Sequence, residues 1–204
     1  MAKSRRPLRV KLVLGAIFAS EGILIKAKAG LKEKFGPLDF KSPIMSFDYT
    51  KYYEQEMGPK LLRQFFSFQR LIDPEQLAAI KLYTNRLEKE LSRVKNRPSR
   101  TINPSTLLRI DSERNRNINL DPGYITAAKL VLATCKDYSH RIYLNRGIYA
   151  EVTLDFHDGT FMPSPWAYPD YKTSEYIRSF NAIREIYLKQ LPGRTSLRAP
   201  LSIR

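Results

Sequence analysis

The sequence predicts an α+β fold, a single domain in which an antiparallel or mixed sheet is packed by about four helices. Three observations carry that reading. Short, largely apolar runs with strand character alternate with segments whose apolar residues recur at spacings of three and four. The second half holds two glycine-containing turns between strand-like runs. And 204 residues at 43% hydrophobic and 27% charged, with twelve tyrosines and ten phenylalanines, are enough to bury a core without disulfides or metals.

Val10 to Phe18 (VKLVLGAIF) is apolar almost throughout, as expected of an interior strand buried on both faces. Ser20 to Phe35 places Ile23, Leu24, Ala27, Leu31 and Phe35 on one helical stripe and closes at Gly36-Pro37. Leu38 to Phe47 and Lys60 to Leu71 read as further strands, separated by the tyrosine-rich stretch Asp48 to Pro59, a loop or short helical turn. Asp73-Pro74-Glu75-Gln76 opens a helix: an Asp N-cap, proline in the first turn and a capping-box glutamine. Its buried stripe is Leu77, Ile80, Thr84, Leu87 and Leu91.

Residues 93–116 lose all periodicity among prolines, serines and arginines and read as a basic surface insertion. Asn119 to Tyr124 reads as the end of a strand passing into a helix through Thr134, with Asp121 as its N-cap. Arg141 to Leu144 and Ile148 to Phe156 form a hairpin around Asn145-Arg146-Gly147, a three-residue loop with Gly147 left-handed. His157-Asp158-Gly159-Thr160 turns into Phe161 to Pro163, and a last helix, Thr173 to Leu191, offers Ile177, Phe180, Ile183 and Tyr187 to the core. The domain therefore spans 8–191, with flexible basic tails at 1–7 and 192–204. The opening β-α-β-β-α-β order suits a ferredoxin-like first half.

Charge and cysteine usage narrow the function classes. The net charge is +15, yet thirteen of those charges belong to residues 1–11, 93–116 and 192–204. Basic arms of this kind either bind RNA or keep the chain soluble. The apolar run Leu12 to Ala19 is only eight residues long, rich in β formers and followed by no obvious small-x-small cleavage site, so it reads as a first strand rather than a signal, and no apolar stretch approaches the roughly 18 to 20 residues of a membrane span. The one cysteine, Cys135, leaves no internal disulfide, and the expected compartment is the cytoplasm.

The segments FDYTKYYEQEMGP (47–59), NLDPGYITAAKLVLATCKDYSHRIYLNRGIYAEVTLDF (119–156) and YPDY (168–171) closely resemble the bacterial and archaeal family known as domain of unknown function 4416, over roughly residues 8–191. That family is uncharacterised, so the resemblance implies no activity. Some similar proteins carry an automatic label of GTP-binding protein, but this chain has no GxxxxGK[ST] loop to cradle phosphates. Beside the family it resembles, the chain looks longer at residues 93–116 than the corresponding connection, so the resemblance implies no family role for that basic segment.

The hairpin gives the sharpest expectation. If Leu144 faces Ile148, then Tyr143 faces Tyr149, Ile142 faces Ala150 and Arg141 faces Glu151. Ile142, Leu144, Ile148, Ala150, Val152 and Leu154 then form a core face, and Arg141, Tyr143, Tyr149, Glu151, Thr153 and Asp155 a polar one. That polar face suits a small anionic ligand or nucleotide bound by Arg141, Tyr143, Tyr149, Glu151 and Lys129. Its bland counterpart is a solvated cross-strand ion pair.

An enzyme at the same place would use His140, Glu151 or Asp121 as acid or base. His140 is equally placed to cap carbonyls of a preceding helix, and Asp121 to cap the following one. Two histidines and one cysteine make no ordinary zinc site, a carboxylate-bound magnesium stays open, and the sequence leaves the cofactor unknown. The tyrosine-rich 48–58 and Trp166 to Tyr171 suit a ligand rim or protein interface, but they lack the interleaved cations of a single-strand groove, and packing of the tyrosines over the sheet edge is the plainer expectation. The third class is an RNA- or protein-binding accessory factor acting through the basic arms.

Overall fold

A computed structural model describes residues 3–50, 52–93 and 116–192. The strands are β1 (Val10–Phe18), β2 (Leu38–Lys41), β3 (Met45–Phe47), β4 (Leu61–Ile72), β5 (Ile118–Ile125), β6 (Lys129–Thr134), β7 (Ile142–Asn145), β8 (Ile148–His157) and β9 (Thr160–Pro163). The helices are α1 (Glu21–Phe35), α2 (Tyr52–Met57), α3 (Leu77–Arg93) and α4 (Ser174–Gln190). The strands form one sheet in the order β2-β4-β1-β5-β6-β8-β7, with β3 on β4 and β9 on β8, so the fold is α+β. In the opening stretch β4 lies between β1 and β2, and β1 between β4 and β5. Each β-α-β unit is thus split by a strand of the other, the ferredoxin-like arrangement.

Residue contacts divide the chain into two compact units. The first is Leu14–Gln69 with Ala79–Pro122. Here β2 and β3 both pair antiparallel with β4. All five apolar residues expected on the α1 stripe are buried, and so are Ile80, Thr84, Leu87 and Leu91 of α3. The two helices meet where Gly30 faces Leu87, and the Tyr83 hydroxyl donates to the Gly30 carbonyl at 3.0 Å. Phe35 closes the layer edge-on against Phe68 and Tyr83. The tyrosine-rich stretch forms the short helix α2, whose Met57 packs with Ile17, Phe47 and Leu61.

The second unit is Met1–Val13, Arg70–Ala78 and Gly123–Arg204. Before α3, the Asp73 N–H donates to Gln76 Oε1 at 3.1 Å through a 3-10 turn, Pro74–Gln76. Strands β5, β6, β8 and then β7 and β9 pair antiparallel in succession. α4 covers them, with Thr173 as N-cap and Tyr176, Ser179, Phe180, Ile183 and Tyr187 buried. Arg184 lies over the Phe156 ring, and Asn181 bridges the Phe161 N–H and the Thr160 hydroxyl of β9.

The helix expected from Tyr124 to Thr134 is instead the β5–β6 hairpin. Thr126 makes the turn: its hydroxyl accepts from the N–H groups of Ala128 and Lys129, and its own N–H donates to the Lys129 carbonyl at 2.9 Å. Gly123 fixes the strand pair, because a Cβ there would stand 2.4 Å from the Val131 carbonyl oxygen. Tertiary pairing overrides the helix propensity of Ala127, Ala128 and Lys129. Asp121 is consequently no N-cap.

No helix among the described residues is long and apolar enough to cross a membrane. The insertion and the C-terminal tail lie, at 94–115 and 193–204, outside the described residues.

Candidate functional site

One edge of β8 is interrupted. β7 pairs with Ile148–Ala150 and β9 with Leu154–His157, so Glu151, Val152 and Thr153 face a notch between two short edge strands. On its other edge β8 carries a bulge, since Leu130 pairs with Leu154 but Val131 with Val152, leaving Thr153 extra. Residues just after β9 satisfy the notch backbone. The Ser164 N–H donates to the Thr153 carbonyl at 3.0 Å, while Ser164 Oγ and Trp166 Nε1 both donate to the Val152 carbonyl at 2.9 Å.

The notch is built around Glu151, which is 4% exposed. Arg141 Nε donates to Glu151 Oε2 at 2.7 Å, and His140 Nε2 meets the same oxygen at 3.1 Å. Thr153 Oγ1 donates to the other oxygen at 3.4 Å. Arg141 spends its remaining nitrogens locally: Nη1 on the Lys136 carbonyl at 3.1 Å and Nη2 on the Tyr168 hydroxyl at 3.3 Å. Burial works against the Arg141 charge, but Glu151 and Tyr168 outweigh it and raise its pKa above the ordinary arginine value. The His140 ring stacks on Trp166 at 5.2 Å and 13°, and Tyr138 stands edge-on to it at 5.3 Å. If the Nε2 proton points at the carboxylate, Nδ1 becomes the basic nitrogen of a neutral imidazole.

The sequence placed Tyr143 opposite Tyr149 and Ile142 opposite Ala150, and both pairs are present, the tyrosine rings 5.3 Å apart. The loop differs. Asn145, not Leu144, pairs with Ile148, and Arg146 and Gly147 form a two-residue turn with φ of 50° and 74°. Leu144 absorbs the shift as an irregularity in β7. The faces also differ: Ile142 and Leu144 are exposed because β7 ends the sheet, whereas Glu151 and Thr153 are buried. The Arg141–Glu151 pair is therefore no solvated surface bridge, the two side chains being 8% and 3% exposed.

Lys129 stands apart, exposed and opposite Asp155 at the far end of β6. His140 follows a strand rather than a helix, so it caps no helix. Sequence reasoning did not join Trp166, Tyr168 and Tyr138 to this site. The available signal was the single tryptophan beside Tyr168, just after a strand that a DG turn folds back.

Asp121 belongs to a second constellation, in the other unit. Arg63 Nη1 and Lys81 Nζ each stand 3.5 Å from its carboxylate, and Asn119 Nδ2 donates to it at 2.6 Å. Burial would raise the Asp121 pKa, but Lys81, Arg63 and Arg116 outweigh it and hold it below the usual carboxylate value. Glu88 has the opposite balance. It accepts the Leu120 N–H at 2.6 Å and Arg116 Nη2 at 2.8 Å, yet burial pushes its pKa up. Arg63, 1% exposed, lies over the Phe65 ring and above Gly15, where a Cβ would stand 3.0 Å from Nη2. A carboxylate held low is a weak base, and this network reads as structural. Among the described residues no three His, Cys, Asp or Glu side chains converge as a metal site would require.

A family model, the domain of unknown function DUF4416, matches residues 8–107 and 105–187. The chain belongs to that family. The boundary between the two DUF4416 matches falls inside the basic insertion, so the notch residues all lie within the second match. No curated protein and no solved structure matches the chain.

Proposed function

We propose that this protein binds a nucleotide or a chemically similar small anionic ligand at the β8 notch. One observation carries the reading: solvent-facing rings of Trp166, Tyr138 and Tyr168 surround an imidazole and a guanidinium that share one buried carboxylate. A flat ring has a stacking surface here, and the polar groups are fixed before the ligand arrives, which reduces the ordering entropy of binding. Arg141 orients rather than grips, because its three nitrogens already have protein partners. We place the protein in the cytoplasm; one cysteine and no membrane-crossing helix among the described residues support this.

The His140–Glu151 contact favours a second reading, catalysis at the same place. A carboxylate that fixes the imidazole tautomer prepares Nδ1 to accept a proton from a bound substrate. In that reading Glu151 is the orienting group and His140 the base.

Thermal shift of the whole chain against nucleotides and phosphorylated metabolites tests the binding reading. A ligand at about 100 times its Kd adds about 2.7 kcal/mol to stability. The expected outcome is a higher Tm with one nucleotide class, much reduced in Tyr138→Ala and Tyr168→Ala. Equal shifts in the wild type and both variants would move the site away from the notch.

A further inference from the structure

We infer that the partner of this notch is single-stranded nucleic acid, with bases stacking on Tyr138, Trp166 and Tyr168 and phosphates lying along Lys136 and Arg146. This rests on the nucleotide reading above and extends it from one residue of ligand to a strand.

The exposed rings are concentrated. Of the large hydrophobic side chains exposed among the described residues, more than half lie between Tyr138 and Tyr168, including Tyr143 and Trp166. Water-facing aromatics at this density, rimmed by polar groups, mark an interaction surface. They are also held in place. Trp166 is fixed by its hydrogen bond to the Val152 carbonyl and by its stack on His140, and Tyr168 by Arg141. Fixed rings with one open face are what a base needs for stacking, and stacking tolerates any base.

The fold supplies what the linear segments lack. Trp166 to Tyr171 has no cation before Lys172, yet folding sets Trp166 against His140, and Tyr168 against Arg141, which also donates to the backbone carbonyl of Lys136. Since Glu151 neutralises Arg141, phosphate contact falls to Lys136 and Arg146, both exposed; Asp137 subtracts from their field. The long-range attraction comes from the whole chain at +15 and from the exposed arm carrying Lys3, Arg5, Arg6 and Arg9 in the same unit. Length argues for a strand. Tyr143 and Tyr149 extend the aromatic surface two residues beyond Arg141, roughly 7 Å along β7.

Trp166 is the single tryptophan, so its emission reports on the notch without a label. The experiment titrates the full chain with mononucleotides, then with RNA and DNA oligonucleotides of increasing length, at several salt concentrations. The inference expects Trp166 quenching, affinity that rises with length, and a log K that falls linearly with log salt. Tyr138→Ala and Tyr168→Ala should each weaken oligonucleotide binding about 5- to 100-fold. Lys136→Gln should flatten the salt slope by about 0.7.

If mononucleotides quench Trp166 and bind as tightly as oligonucleotides, the nucleotide site stands and the strand inference falls. If neither quenches, both readings fall. Oligonucleotide binding that survives Tyr138→Ala and Tyr168→Ala unchanged would assign it to the basic arms and overturn the inference. So would concentration-dependent self-association, abolished by Tyr143→Ala, with no oligonucleotide binding, because the surface would then pair copies of this chain. A preference between the RNA and DNA arms decides which nucleic acid is read, through the 2′-hydroxyl.

Discussion

Asp121 and Glu88 sit in one network with opposite pKa directions, and this fixes the sign of their pH dependence. Asp121 has its folded pKa depressed, so its stabilisation is complete above the unfolded value of about 3.9 and is lost as pH falls through the folded value. Glu88 has its folded pKa raised, so its contribution is complete below about 4.3 and is lost as pH rises through the folded value. Urea midpoints across pH separate the two. Asp121→Asn should destabilise at neutral pH by about 3–5 kcal/mol, because the buried Arg63 and Lys81 lose the carboxylate that they share. The loss should shrink toward low pH. Glu88→Gln should remove the decline in stability above the Glu88 titration, and an unaltered pH profile in that variant would contradict the assignment. Gly123 is the backbone counterpart. Gly123→Ala forces a Cβ against the Val131 carbonyl and should cost about 1–3 kcal/mol, read as a fall in Tm.

The elements show which sequence signals suffice. The α1 stripe was legible in full, because a 3.6-residue period leaves one choice of buried face. In α4 the same period located Phe180, Ile183 and Tyr187, but it placed in the core Ile177, which is only half-buried, and passed over Tyr176, whose ring packs on Tyr171 from the preceding turn. The β5–β6 hairpin was not legible, since its short apolar run fits either structure and is decided by strands distant in sequence. At the β7–β8 turn, Asn145-Arg146-Gly147 predicted a hairpin, but the two-residue solution wins by placing both Arg146 and Gly147 at positive φ. Arg146 is unfavourable there. Arg146→Asn should therefore stabilise by a few tenths of a kcal/mol, measured by chemical denaturation, while Gly147→Ala should destabilise by about 1 kcal/mol. As for the candidate site, the hairpin register gave Arg141, Glu151 and the tyrosine pair. Trp166 and Tyr168 reach it only through the notch between β7 and β9, which no local pattern encodes.

At the scale of the whole molecule, the two compact units are not separate along the chain. β1, β4, β5 and α3 each contribute residues to both, with the boundaries at Val13, Gln69, Ala78 and Pro122 falling inside those elements. A strand or helix cannot keep half its hydrogen bonds and side-chain packing when the other half melts without losing cooperativity at its own centre. The expected behaviour is one unfolding transition, although the contacts cluster in two groups. Trp166 emission reports on one unit, and far-UV circular dichroism on all the helices and strands, so their denaturation curves should coincide. Asp121→Asn in one unit and Gly123→Ala in the other should lower that common midpoint rather than split it. Separate midpoints for the two probes, with Asp121→Asn shifting only the dichroism curve, would show that the units unfold independently and that the four shared elements break at those boundaries.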